Sequence, residues 1–249
     1  MSWRSHAKTS WFPAHIVIQF RKDEPTLTRT HYIASAADVP RQIAAITGDV
    51  LQNLRSALDH LAYQLFESGT GRAGNDGKHV YLPIFDSASR CAAGLESKVR
   101  GMQRNAVDAI KALKPYRGGD DTLWRLQQLN NRDKHRLLVT VAAINRFASM
   151  TPSQRAEMTQ RFHGSYPADH PAPNLIGAMM PVPQLSFALK VGDALLTISE
   201  SDVEESMRFH FDIAFAESGV VEGDSTLQTL RDVRSRVRQI VSELGALIP

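Results

Sequence analysis

The sequence predicts an α+β fold, with a central helical bundle beside an antiparallel sheet made from an N-terminal hairpin and C-terminal strands. Three observations predict it. Apolar residues recur at helical spacing through Ile43, Ile46, Val50, Leu54, Leu58, Leu61 and Leu65. Phe209, Phe211, Ile213 and Phe215 alternate with Arg208, His210, Asp212 and Ala214, the period of a strand with one apolar face. Capping patterns at Asp120-Asp121 and Ser225-Thr-Leu-Gln228 announce further helices.

Ile16 to Phe20 and Thr28 to Ile33 are β-branched and aromatic, and Arg21-Lys-Asp-Glu-Pro25 supplies the turn of a hairpin. Asp38 offers a cap to the first long helix, which Gly69 and Gly71 stop. Residues 69–78 form a loop into extended Val80-Tyr-Leu-Pro-Ile-Phe85. A helix follows from Ser87 to Lys114, divided near Gly101, and another from Thr122 to about Ala148. Thr151-Pro-Ser-Gln154 opens a short helix to about Arg161, and five prolines between Gly164 and Gln184 mark a linker or functional loop. Leu185 to Val191, Gly192-Asp193 and Ala194 to Ile198 read as a hairpin. The last helix, about 225–247, carries the stripe Leu227, Leu230, Val233, Val237, Ile240, Val241 and Leu244. One domain spans the 249 residues: a helical core over about 38–162, β-rich segments over about 14–34 and 184–216, and the closing helix.

An apolar fraction of 43% and a charged fraction of 22% exclude wholesale disorder. The net charge of +3 and pI near 9.1 lean toward an anionic partner, although charge position matters more than charge sum. Cys91 is the only cysteine, which excludes an internal disulfide and fits a reducing compartment as a small buried residue. Residues 1–15 lack the apolar core of a signal peptide, and no run approaches the roughly 18 residues of a membrane span, so a cytoplasmic protein is expected.

The polar residues of interest fall on two helices. Asn53 and His60, seven apart, point within about 20° of one another, with Asp49, Ser56 and Gln64 beside them. Such a stripe is also what a solvated helix face looks like. On the second helix, Asn130 and Lys134 interrupt an apolar stripe of Leu123, Leu137 and Val141; buried there they need partners, which the Asn53-to-His60 stripe can supply. Arg55 and Asp59, spaced i to i+4, read as a helix-surface ion pair.

The segments Gly48-Asp-Val-Leu-Gln-Asn-Leu-Arg-Ser-Ala-Leu-Asp-His-Leu-Ala62, Leu82-Pro-Ile-Phe85 and Leu129-Asn-Asn-Arg-Asp-Lys-His-Arg136 together resemble a widespread family of uncharacterised bacterial proteins. Arg55 followed by His60 also resembles the Arg-x4-His motif of HEPN-domain ribonucleases, an all-helical group that builds a metal-free site across a dimer. The resemblance implies that Arg55 stabilises phosphate charge and His60 moves a proton during attack of the RNA 2′-hydroxyl, with no cofactor. Two departures stand against it: the β structure, and Ser56 where many HEPN motifs have an amide. The two side chains also point about 140° apart on one helix, so a flexible arginine or the second subunit of an expected homodimer is needed to bring them together.

The leading expectation is therefore a HEPN-like endoribonuclease of toxin or defence type acting on RNA or another phosphate-bearing ligand. Arg55 and His60 would be catalytic, with Asn53, Ser56, Asp59, Asn130, Asp133, Lys134, His135 and Arg136 supporting or binding substrate. A non-catalytic nucleic-acid or nucleotide binder is the alternative, carried by the same basic residues and by Arg231, Arg234 and Arg238 near one face of the last helix. A third class is metal-assisted hydrolysis using Asp49, Asp59, His60, Asp133 or His135, although no HExxH pattern is present. His163 and His170, bordering the proline-rich segment, and His210, in a strand, read as structural or exposed.

Overall fold

Backbone groups that the chain cannot leave unpaired are satisfied by two kinds of structure, helices in its middle and end and antiparallel ladders on either side of them in sequence. The computed structural model describes residues 16–71, 80–138, 140–148, 190–202 and 208–249. The expected 151–161 helix, the 164–184 segment, the strand from 185 to 189, and His163 and His170 lie outside the described residues. The fold class is α+β. Contacts divide the chain into two compact units, Met1–Pro40 with Thr140–Ala216, and Arg41–Val139 with Glu217–Pro249.

The first unit holds the strands β1 (Ile16–Asp23), β2 (Thr28–Ala36), β3 (Thr140–Ala148), β4 (Ala194–Ser199) and β5 (Arg208–Phe215). The hairpin β1–β2 forms as expected, and β2 also pairs antiparallel with β4, placing Thr30 opposite Thr197. Among the described residues the strand orders are β1-β2-β4 and, separately, β3-β5, so the N-terminal hairpin is joined by the C-terminal β4 while β5 pairs with β3. Ile33 and Leu195 make a small core against which Phe211 of β5 packs. Glu200, in the turn after β4, accepts from Arg29 Nε at 3.1 Å and Nη2 at 2.5 Å and lies 2.6 Å from Lys22. These partners hold its carboxyl at about 2, well below the usual carboxylate range.

The second unit is helical: α1 (Arg41–Thr70), α2 (Ala88–Lys98), α3 (Arg104–Ala112), α4 (Asp121–Asp133) and α5 (Thr226–Gly245). Helices α1, α4 and α5 pack on one another. The break at Gly101 (φ 91°) divides α2 from α3 as expected, because only glycine enters that region without strain. The caps read from sequence are made: Asp120 Oδ1 accepts from Leu123 N at 3.0 Å, and Ser225 Oγ from Gln228 N at 3.2 Å. Asp120 Oδ2 also accepts from Arg236 Nε at 2.6 Å, joining the start of α4 to α5.

Two helical expectations are corrected. Helix α4 ends at Asp133 rather than near Ala148, and Thr140–Ala148 is β3. Thr140-Val141 favours extended backbone, pairing with β5 satisfies it, and Leu137, expected in the apolar stripe, is half exposed at 50%. The buried side of α1 holds Leu58, Leu61 and Leu65 as expected, together with Leu51, Arg55 and Ala62, whereas Ile46 of the expected stripe is exposed at 59% and Val50 and Leu54 are half-buried. No helix among the described residues is long and apolar enough to cross a membrane.

Candidate functional site

The motif residues of α1 and α4 act chiefly on the chain itself. Arg55, expected on the surface, is only 6% exposed. Its Nε donates to Asp59 Oδ2 at 3.2 Å, and its Nη2 donates to Asp59 Oδ1 and to the Leu82 carbonyl, each at 2.7 Å. Leu82 N–H returns a bond to Asp59 Oδ1 at 3.1 Å. The i to i+4 pair thus does what a neighbouring strand would do, offering one donor and one acceptor to a single extended residue. This corrects the reading of Arg55 and Asp59 as a surface pair of small worth. Arg55 Nη1 is buried and finds no hydrogen-bond partner among the described residues.

The clasped segment is held at its other end too. Phe85 N donates to the Pro115 carbonyl at 2.8 Å, and Gln128 of α4 donates to Asp86 Oδ1 at 2.9 Å. Segment 81–86 is therefore a rigid extended platform fixed by α1, α4 and the turn after α3.

Arg132 and Arg136 meet at Glu217, whose side chain is fully buried. Arg132 Nη1 donates to Glu217 Oε2 at 2.8 Å and Nη2 to the Ser218 carbonyl at 2.9 Å. Arg136 donates from Nη1 to Oε1 at 3.0 Å and from Nη2 to Oε2 at 2.7 Å. The Glu217 carboxylate pushes the Arg136 guanidinium above its ordinary value. Arg136, expected to extend an anion-binding surface, instead fixes the chain entering α5. Nothing in the sequence around Glu217 announces it, because its partners lie more than 80 positions away.

The remaining expected residues do not assemble into one centre. Asn53 and His60 are exposed and Ser56 is half-buried on the solvent side of α1. Asn130 is buried at 1% exposure, and its Oδ1 has no hydrogen-bond partner among the described residues. Lys134 and His135, in the turn after α4, are exposed, so Lys134 is not the buried ammonium expected. No hydrogen bond among the described residues joins the Asn53-to-His60 stripe to Asn130 or Lys134, and Arg55 and His60 occupy different sides of α1.

Asp133 lies against Gly48, where an added Cβ would come within 2.3 Å of its Oδ1. Burial, and then the Asp49 carboxylate, push its carboxyl up. Among the described residues no group of three or more His, Cys, Asp or Glu side chains converges in the manner of metal ligands. Cys91 is free and buried, and burial raises its thiol.

A different set of cations faces outward. On α5, Arg231, Arg234 and Arg238 are all exposed, and none is ion-paired among the described residues. They fall within about 60° of one another and span about 10 Å of helix axis. Val233, Val237, Ile240 and Leu244 cover the opposite side and are buried. The two acids of α5, Asp232 and Glu243, accept from Gln228 and Gln239, each at 2.8 Å. Comparison with protein-family models, with curated proteins and with solved structures finds no match to the chain.

Proposed function

We propose that the helical unit binds nucleic acid without cutting it, along the arginine face of α5. The observation that carries this reading is the row of three exposed guanidinium groups, without ion pairs among the described residues, whose orientation is set by the burial of Val233, Val237, Ile240 and Leu244 on the other side of the helix. Guanidinium forks suit phosphate oxygens, and a row about 10 Å long can meet successive phosphates of a single strand. The endoribonuclease reading draws less support. It needs Arg55 at a substrate phosphate, and that guanidinium is sunk among Asp59 and Leu82.

The test is a salt titration of binding to single-stranded RNA. Replacing Arg231, Arg234 and Arg238 by Gln should lower the slope of log K against log salt by about 2, since each phosphate contact contributes about 0.7. Equal slopes for the triple variant and the parent would remove the proposal. The recovered RNA reports on the other reading: intact RNA accords with binding alone, whereas cleavage that disappears in His60→Ala would reinstate the nuclease.

A further inference from the structure

Beside α2 an open cleft of about 260 Å³ is lined by the 81–86 platform together with Arg90 and Lys98. Its features are those of a ligand site. Tyr81 is 38% exposed and lines the cleft. Lys98 Nζ stands 4.8 Å from the centre of that ring and donates to its hydroxyl. Arg90 Nη1 donates to Asp86 Oδ2 at 3.0 Å, and Gln128 occupies the other carboxylate oxygen. The one acid of the cleft is thereby engaged, and Lys98 keeps its charge for a ligand. Phe85 forms an apolar wall against α2 at Gly94, where any Cβ would come within 3.0 Å of the ring. The floor does not need to be ordered by ligand, because Arg55, Asp59, Pro115 and Gln128 already fix its backbone and Asp86.

We infer that this cleft binds one nucleotide unit, its base stacked on Tyr81 and its phosphate held by Lys98 and Arg90. The volume lies just below the roughly 300–1,000 Å³ of common small-ligand sites, so it takes a single unit and not a dinucleotide. An aromatic face beside cations is the combination that accepts any base by its π surface and any phosphate by charge. The four-carbon stem of Lys98 lets its ammonium leave the ring for a phosphate. The preference for a nucleotide over another planar anion rests on the nucleic-acid reading of the same helical unit. A free mononucleotide and one nucleotide of a single strand share this chemistry.

The experiment uses the full chain with AMP, adenosine and ribose 5-phosphate as probes, followed by calorimetry. AMP should bind more tightly than either fragment. Tyr81→Ala should weaken AMP by roughly fivefold to a hundredfold, the effect of removing one stacking ring, while Tyr81→Phe should retain affinity. Lys98→Gln combined with Arg90→Gln should erase the advantage of AMP over adenosine. Unchanged AMP affinity in Tyr81→Ala, or AMP no tighter than adenosine, would overturn the assignment. A short oligoadenylate that also weakens in Tyr81→Ala identifies a strand nucleotide as the occupant; a response of AMP alone identifies the free nucleotide. The α5 triple variant should bind AMP normally, so a failure of the arginine face and a failure of the cleft are read separately.

Discussion

Replacing Arg55 by Met keeps an unbranched apolar stem and removes every donor, which separates a structural arginine from a catalytic one. The guanidinium makes two bonds to the Asp59 carboxylate and one to the Leu82 carbonyl. Hydrogen bonds to charged groups contribute about 1.5–3 kcal/mol, and a buried carbonyl left without a donor costs about 1–3 kcal/mol. Asp59 is 35% exposed, so its carboxylate regains water instead of being stranded, and the buried methionine returns about 1 kcal/mol or more of apolar transfer. The net expectation is a loss of about 2–3 kcal/mol, or about 10 °C in Tm for a unit of this size. Arg55→Lys should not restore it, because an ammonium cannot reproduce the fork. Urea unfolding is followed through Trp124, buried at 8% exposure in α4, in a background where Trp3 and Trp11 are Phe. Hydrogen exchange at the Leu82 amide reads the clasp directly, since its N–H is donated to Asp59. A catalytic arginine would leave stability within about 0.5 kcal/mol of the parent, or raise it. That result, with Leu82 protection unchanged, would refute the clasp.

Glu217→Gln should lower the stability of the helical unit by about 2–3 kcal/mol, measured by the same Trp124 transition. It leaves two guanidinium groups converging on a neutral amide, and their 31% and 50% exposure lets them turn partly to water, which keeps the loss below that of a sealed pair. Glu200 gives a pH dependence in the other unit. Its folded value is depressed to about 2, so the stabilisation is complete above the unfolded value near 4.5 and is lost as pH falls through that window toward 2. Hydrogen exchange of the paired β2 and β4 amides should accelerate over this range, and Glu200→Gln should flatten the dependence; added salt should weaken the effect because the group is exposed.

Local rules carried much of the fold. The Asp120 and Ser225 caps, the break at Gly101 and the apolar side of α5 each follow from short-range chemistry, and each is present. What was illegible depends on partners distant in sequence. The stretch after Asp133 keeps apolar spacing compatible with a helix, but pairing with β5, more than 60 positions on, makes Thr140–Ala148 a strand. Arg55 carries a charge, so spacing alone assigned it to the surface; the buried position is earned by a carbonyl 27 positions away. Glu217 is invisible for the same reason. Gly48 held a readable signal, since a glycine inside a helix asks for a close neighbour, and the Asp133 carboxylate is that neighbour. Tyr81, Arg90 and Lys98 were passed over because each is ordinary by itself and only the platform brings them together.

The motifs that stand out in the sequence can be understood as the requirements of that platform. An extended segment outside any sheet has backbone donors and acceptors with no ladder to receive them, and burying it demands side-chain substitutes at fixed positions. Arg55 and Asp59 meet that demand for Leu82 only at a spacing of one helical turn, with the cation binding the carbonyl and the acid the N–H. Pro83 is buried immediately afterwards, a position where a residue without an N–H leaves no donor to satisfy. The charged pair of the first motif, Arg55 and Asp59, is therefore engaged in placing Leu82-Pro-Ile-Phe85, and the cleft lies where this segment meets Arg90 and Lys98. On this argument a substitution at Arg55 impairs ligand binding only by loosening the cleft floor, so its effect on AMP affinity should disappear when the same variant is stabilised elsewhere, whereas that of Tyr81→Ala should not.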